Sequence, residues 1–350
     1  MVKSFLSECK EHPLCLQGPD TLVKKWCLMK KQPGKKIILL AGPTGVGKTA
    51  LSIMLAKLLN GEIISTDSIQ VYRGMDIGSA KVSKKERDSV PHHLIDIRHV
   101  QEPFNVVDFY YEARQVCDSI LARNKVPILV GGAGFYFKTF VSGPPPGPPS
   151  VKEIRAQIEA QMAEQGVLSM YEKLHEYDPE YAGTISSKDI HKIVRAFEII
   201  TLTGAPVSAC KWAMSKARPD KSTAEEYVYM GWFLSLPRDI LHQRINERCD
   251  AMLAEGFVEE VKALKQEGIQ KNPSAARSIG YAQCLKFLES NQSMEEYNAF
   301  VADFKTASRR YVRRQCTWFK KDPLFDVLDI NGKNLQILAE ELADNFANNH

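Results

Sequence analysis

The chain has no run of about 18 or more apolar residues, the length a helix needs to cross a bilayer, so a membrane span is not expected. Its first stretch, "MVKSFLSECKEHPLCLQG", is broken by charge and proline and lacks the apolar centre of a secretory signal. Eight cysteines (Cys9, Cys15, Cys27, Cys117, Cys210, Cys249, Cys284 and Cys316) are scattered without a C-x-x-C pair. That pattern speaks against a zinc site and for reduced thiols in a cytoplasm. A large excess of charge is also missing. A net +4 over 350 residues is too weak to argue for nucleic acid, so the placement of charge matters more than its sum. His92 and His93 are neighbours on a predicted strand and would face opposite ways, which speaks against a metal pair. No internal repeat is found.

What is present is the composition of a globular protein, 44% hydrophobic and 25% charged, with length for roughly two domains. "KIILLAG" (36–42) is a continuous apolar run ending in glycine, as a buried parallel strand should be. "KTALSIMLAKLL" (48–59) then has helical spacing. Further strands are expected at "EIISTD" (62–67), "HHLIDI" (92–97), "VPILVGG" (126–132) and "YVYMGWFLSLP" (227–237), with an amphipathic helix over 106–125. This alternation predicts an α/β fold, a parallel sheet flanked by helices. The Pro-rich "SGPPPGPPS" (142–150) cannot join a central strand, and residues 151–222 are mostly helical in pattern. The expected organisation is an N-terminal extension (1–34), a core (35–143 and 224–325) with C-terminal helices, a helical insertion (144–223) and a tail (326–350).

Gly42, Pro43, Thr44, Gly45, Val46, Gly47, Lys48 and Thr49 fit G-x-x-x-x-G-K-[ST] between a strand and a helix. Such a P-loop curls backbone N–H groups around phosphate oxygens at a helix N-terminus, adds a lysine charge, and offers a hydroxyl to Mg²⁺. It does not reveal the reaction. A nucleotide hydrolase would show a second acid ending another strand, and "PILVGGAG" carries none. Asp96, inside "LIDI", is a weak substitute. Asp67 ends the second strand, on the sheet edge where ligands bind, and could be a general base. It precedes "SIQVY", however, so a helix N-cap is an equal reading on spacing alone. Arg244 and Arg248 are four apart and share a helical face.

"AGPTGVGKT", "STDSIQVYRGMDIGSAK", "PHHLIDI", "VPILVGGAGFYF", "SIGYAQCL" and "RRQCTWFK" occur in the order seen in tRNA dimethylallyltransferases, also called tRNA isopentenyltransferases. The resemblance spans about residues 36–322. It implies transfer of a dimethylallyl group from dimethylallyl diphosphate to N6 of the adenine beside the anticodon of tRNA, with diphosphate leaving whole. On that reading Asp67 is the base that accepts the N6 proton, while Lys48 and Thr49 act on the leaving group, Thr49 through Mg²⁺. Arg244 and Arg248 add cations over the diphosphate. The resemblance further implies tRNA contacts at Asp67, Ser68, Ile69 and Gln70, at Ala133 and at Arg155. In the insertion it adds His191, Lys192, Ile193, Val194 and Arg195. Later segments are Arg248, Cys249, Asp250, Ala251, Met252 and Leu253, then Arg277, Ser278, Ile279, Gly280, Tyr281, Ala282, Gln283 and Cys284. Ser68 and Gln70 suit base edges, and Tyr281 suits stacking. "SRRYVRRQCTWFKK" (308–321) interleaves six cations with aromatic residues and is expected near RNA, with Trp318 in the core.

One position departs from the family: "VGGAGFY" has Ala133 where threonine is usual. No Cys₂His₂ finger, often carried by eukaryotic relatives, comes after the matched region, which reads as the bacterial type. A monomer is expected. Rival readings are an adenylate isopentenyltransferase acting on free nucleotides, a small-molecule or nucleotide kinase, and an RNA-binding protein with an inactivated site.

Overall fold

A computed structural model describes residues 35–145, 147–210 and 227–348. The N-terminal extension, with Cys9, Cys15 and Cys27, lies outside the described residues, as does the end of the expected insertion. Strand β1 (Lys36–Ala41) leads through the glycine loop into α1 (Lys48–Leu59), then β2 (Gly61–Thr66), α2 (Lys84–Ser89) and β3 (His92–His93). Next come α3 (Val106–Ala122), β4 (Val126–Gly131) and α4 (Gly134–Ser142). Among its described residues the insertion holds the α-helices α5 (Lys152–Gln165), α6 (Val167–Tyr177), α7 (Pro179–Ala182) and α8 (Ile190–Thr203). The chain re-enters the sheet as β5 (Val228–Ser235). It continues through α9 (Arg238–Ala254), α10 (Phe257–Gln266), α11 (Pro273–Ala276), α12 (Tyr281–Leu288) and α13 (Met294–Phe319), then β6 (Asp326–Asp329) and α14 (Leu335–Asn348).

The six strands form one sheet in the order β3-β2-β4-β1-β5-β6, every adjacent pair parallel. β1 lies inside it, with Ile37 to Ala41 wholly buried, which is why its sequence is a continuous apolar run rather than an alternating one. Helix α1 packs on β1, β2, β4 and α14, while α3 packs on β2, β4 and α4.

Two differences from expectation have local causes. The third strand stops after His93 because Leu94 (φ 62°) and Asp96 (φ 57°) take left-handed backbone, which no strand continues. Residues 326–348, expected as a tail, supply β6 and α14. "DVLD" is too short and too polar to stand out as a strand, and it pairs with β5 at the sheet edge. The helices α5 to α8 have a core of their own, built on Ile158, Met162, Met170, Leu174, Ile193 and Ile199. No helix among the described residues is long and apolar enough to cross a membrane.

Candidate active site

At the C-terminal ends of β1, β2 and β4, the glycine loop, the 67–82 segment and the helices α9 and α13 enclose a cavity of about 350 Å³. Gly47 caps α1 with φ 105°, a backbone state that lets the loop turn its amides inward and that a side chain would strain. Lys48 reaches back to its own loop, Nζ donating to the carbonyls of Gly42 and Pro43 at 2.9 Å each. Thr44, Lys48 and Thr49 line the cavity, whereas Gly42, Pro43, Gly45, Val46 and Gly47 form the loop behind them.

Electrostatics in the cavity are coupled. Burial, helped by the neighbouring Arg248 charge and opposed by Asp67, brings the Lys48 ammonium down to about 7. Burial likewise lowers Arg248, again opposed by Asp67. Burial and then the Asp67 charge raise Tyr311 to about 12, and the same two causes raise Tyr136. One carboxylate is thus felt by Lys48, Arg248, Tyr136 and Tyr311.

No helix follows Asp67, so it caps a turn rather than a helix, and that cap does not exclude the base reading. Its Oδ1 accepts from the N–H of Ile69 at 2.8 Å and of Gln70 at 3.3 Å, a local turn cap. Its Oδ2 makes no hydrogen bond among the described residues, so the cap orients the carboxyl group without consuming it. Asp96 is not a substitute acid. Lys81 at 2.6 Å and Arg87 at 2.7 Å hold it, and their hydrogen bonds overcome the upward push of burial to keep its carboxyl low.

The two arginines separate. Arg248 lines the cavity, whereas Arg244 is exposed and reaches the carbonyl of Gly45 at 3.4 Å from outside the loop. Of the other expected contacts, Ser68, Ile69, Gln70, Cys249, Met252, Arg277, Ser278, Ile279 and Tyr281 join Asp67 around the cavity. Asp250, Ala251, Leu253, Gly280, Ala282, Gln283 and Cys284 do not line it, although they sit on the same segments.

Tyr281 is not free to stack. Its ring is wholly buried, edge-on to Phe257, with its hydroxyl donating to Glu260 at 2.8 Å. That carboxylate also accepts from the backbone N–H of Asp76, Ile77 and Gly78, so it shapes the adjoining loop. In the insertion, Ile193 and Val194 are core residues (0% and 1% exposed), while His191 and Lys192 are exposed. Arg195 and Arg155 turn toward the buried Glu198, at 2.8 and 3.9 Å. Ala133 does not line the cavity. It is the N-cap of α4 and makes no side-chain cap there.

Sequence reasoning missed Gln315. It lies on α13 within "RRQCTWFK", 5% exposed, accepting from the Thr44 N–H at 3.2 Å and donating to the Gly132 carbonyl at 3.0 Å. A Cβ on Gly132 would fall 2.1 Å from its amide, so the glycine is required by this latch. Ser308, Tyr311, Arg314 and Gln315 bring one face of α13 to the cavity. The i, i+3, i+7 spacing of Ser308, Tyr311 and Gln315 was the available signal. Trp318, expected in the core, is partly exposed, with its ring against Gly134.

Sheet, glycine loop and helix together define a P-loop α/β protein in which an unspent carboxylate shares a cavity with the lysine of the loop. The IPP transferase family matches over residues 70–322, and the chain belongs to that family. A tRNA dimethylallyltransferase of Chlamydia pneumoniae is 51% identical over 336 residues, covering 96% of this chain and 95% of the relative. Among solved structures, the tRNA isopentenylpyrophosphate transferase of Bacillus halodurans is 37% identical with a TM-score of 0.64, covering 89% of this chain and 96% of that one. A eukaryotic dimethylallyltransferase acting on tRNA is 26% identical with a TM-score of 0.71, covering 90% and 80%.

Proposed function

We propose that this cavity transfers a dimethylallyl group from dimethylallyl diphosphate to N6 of the adenine 3′-adjacent to the anticodon (position 37) of tRNAs that read codons beginning with U. The products are N6-dimethylallyladenosine and diphosphate. The observation that carries the reading is the placement of Asp67, with one oxygen unspent, in the same cavity as Lys48, Thr49 and Arg248.

The two phosphates rest on the loop amides, with Lys48 and Arg248 beside them to stabilise charge as the allylic carbon–oxygen bond breaks. The electron pair leaves with diphosphate. The N6 lone pair of the adenine forms the new carbon–nitrogen bond, and the N6 proton passes to the Asp67 carboxylate. An exocyclic amine is a poor nucleophile until it sheds that proton, so the base and the anion cradle must act on one complex. The adenine must leave the stacked anticodon loop to reach the donor.

Mg²⁺ fits this donor set as a phosphate-borne ion. Thr49 lines the cavity, and no three His, Cys, Asp or Glu side chains gather among the described residues, so phosphate and water would supply most oxygens. When bound, it neutralises charge on the leaving oxygens. At Ala133, the N-cap of α4, a methyl stands where the family usually has a hydroxyl.

The test is incubation with labelled dimethylallyl diphosphate, Mg²⁺ and either total tRNA or AMP. Label on tRNA supports the reading. Label on AMP, or no transfer with ATP hydrolysed instead, overturns it.

A further inference from the structure

The stretch of cavity wall formed by Gly78, Ser79 and Ala80 is tied from behind to α10 and α12. Glu260 of α10 gathers four donors there. Its Oε2 accepts from the N–H of Asp76 at 2.9 Å and of Ile77 at 2.6 Å. Its Oε1 accepts from the N–H of Gly78 at 3.1 Å and from the Tyr281 hydroxyl at 2.8 Å. The loop lies hard against two rings: a Cβ on Gly78 would fall 2.2 Å from Phe257 and 2.7 Å from Tyr281. One residue further, the Ser79 carbonyl accepts from the Gln70 side-chain amide at 3.4 Å. The oxygen of that same amide accepts from the Ser65 hydroxyl at 3.0 Å, and the Gln70 backbone N–H donates to Asp67. Gln70 and Asp67 line the cavity, whereas Glu260 does not.

We infer that Glu260 is a positioning residue for the reacting base, acting through Ser79 and Gln70. The role rests on the reading that the cavity takes an adenine of tRNA. With Ser79 and Ser65 each using one of its groups, the Gln70 amide keeps one N–H and one oxygen lone pair free. An adenine edge complements that pair. Asp67 and Gln70 sit on one turn, so the amide that holds the base and the carboxylate that takes its proton are set together. A misplacement of about 1 Å can cost roughly a hundredfold in rate, so the contact that fixes this turn reaches the chemistry. All four partners of Glu260 are donors. A carboxylate satisfies them, whereas the NH₂ of an amide is itself a donor and opposes them. The isosteric Glu260→Gln should therefore fail although it fits.

The experiment measures binding of an anticodon stem-loop RNA to the full chain, with adenosine or an abasic site at the reactive position. The unmodified protein should prefer the adenosine RNA about tenfold, and Gln70→Ala or Glu260→Gln should cut that preference to about twofold. Single-turnover transfer should fall about 10–100-fold in either variant and no further in the double variant, because the two residues act in series. KM for dimethylallyl diphosphate should not change. Tyr281→Phe keeps the buried ring and removes one donor, so its preference should be intermediate; it carries the test if Glu260→Gln does not fold. The control is Glu62→Gln, a buried carboxylate near the other end of β2, held by Arg123 at 2.6 Å and Lys125 at 2.8 Å. It should lose stability and keep the preference. A preference kept in Glu260→Gln, multiplied losses in the double variant, or an equal loss in Glu62→Gln overturns the inference. Label on tRNA with the preference kept in Glu260→Gln removes this role and leaves the reaction. A preference lost in Glu260→Gln, with no label transferred by the unmodified protein, removes the reaction and leaves the role.

Discussion

Around the cavity, the Asp67 charge is felt by Lys48 and Arg248, and the Arg248 charge by Lys48, yet no two of the three form an ion pair. In the insertion the opposite holds. Glu198, wholly buried, accepts from the Val151 N–H at 2.7 Å, the Ser150 hydroxyl at 2.5 Å and Arg195 at 2.8 Å, with every contact spent. Arg195 also donates to the Pro148 carbonyl, so this clasp ties the Pro-rich connector to α8. The first arrangement keeps charges available to a charged substrate, and the second uses them to hold a shape. Residues named by family resemblance converge on the cavity in the sheet domain. In the insertion several of them prove to be core or clasp.

The contrast can be broken first at Lys48. Lys48→Met should lower turnover about 10²–10³-fold, the usual cost of one donor to a developing anion. Because burial and Arg248 hold this ammonium near 7, it is partly neutral above that pH until phosphate charge restores its proton. Donor binding at pH 8 should therefore take up a proton, and affinity should fall as pH rises above 7. Calorimetry in two buffers of different ionisation enthalpy reads the uptake, and Lys48→Met should abolish it.

At the clasp, Glu198→Ala leaves Arg195 facing a buried gap and should cost about 3–5 kcal/mol. Protease cleavage within 150–210 should rise while donor binding in the sheet domain persists. The pH sign comes from the carboxyl itself. Burial would raise it, but hydrogen bonds from Ser150, Arg195 and Val151 outweigh burial and hold it below its ordinary 4.5. Its stabilisation is complete above 4.5 and lost as pH falls through the lower folded value, so acid should loosen the insertion. Resistance of the Glu198→Ala insertion to protease would remove the clasp from the account.

Gln315→Ala leaves the Thr44 N–H and the Gly132 carbonyl unpaired, at a cost of about 1–3 kcal/mol. The loss should appear as reduced thermal stability together with reduced turnover, because it loosens the phosphate loop against β4. A stability loss with turnover intact would make Gln315 a packing residue only.

Much of the fold and site is legible in the sequence, for identifiable reasons. β1, β4 and the second half of β5 are largely buried on both faces and so read as apolar runs, and the glycine loop carries its geometry in its glycines. The third strand is shorter than its hydropathy suggests because left-handed residues at Leu94 and Asp96 leave no mark in that pattern. Gln315 and Glu260 act through contacts 183 and 182 residues away, and no local pattern encodes such distances. Arg244 and Arg248 share a face by spacing, but only the structure separates the residue inside the cavity from the one outside it.

The smallest effect is expected at Ala133. As the α4 N-cap, Ala133→Thr should gain up to about 1 kcal/mol by accepting a first-turn N–H. It should also raise turnover. An unchanged melting temperature and an unchanged or lower rate would show that the loop has adapted to alanine.

Asp67 tests the central claim most directly. Single-turnover transfer from dimethylallyl diphosphate to tRNA, with both saturating, should fall about 10²–10⁴-fold in Asp67→Asn, with affinities for donor and RNA nearly kept. A variant that transfers at close to the unmodified rate would contradict the account, because the amine would then lose its proton to some other group.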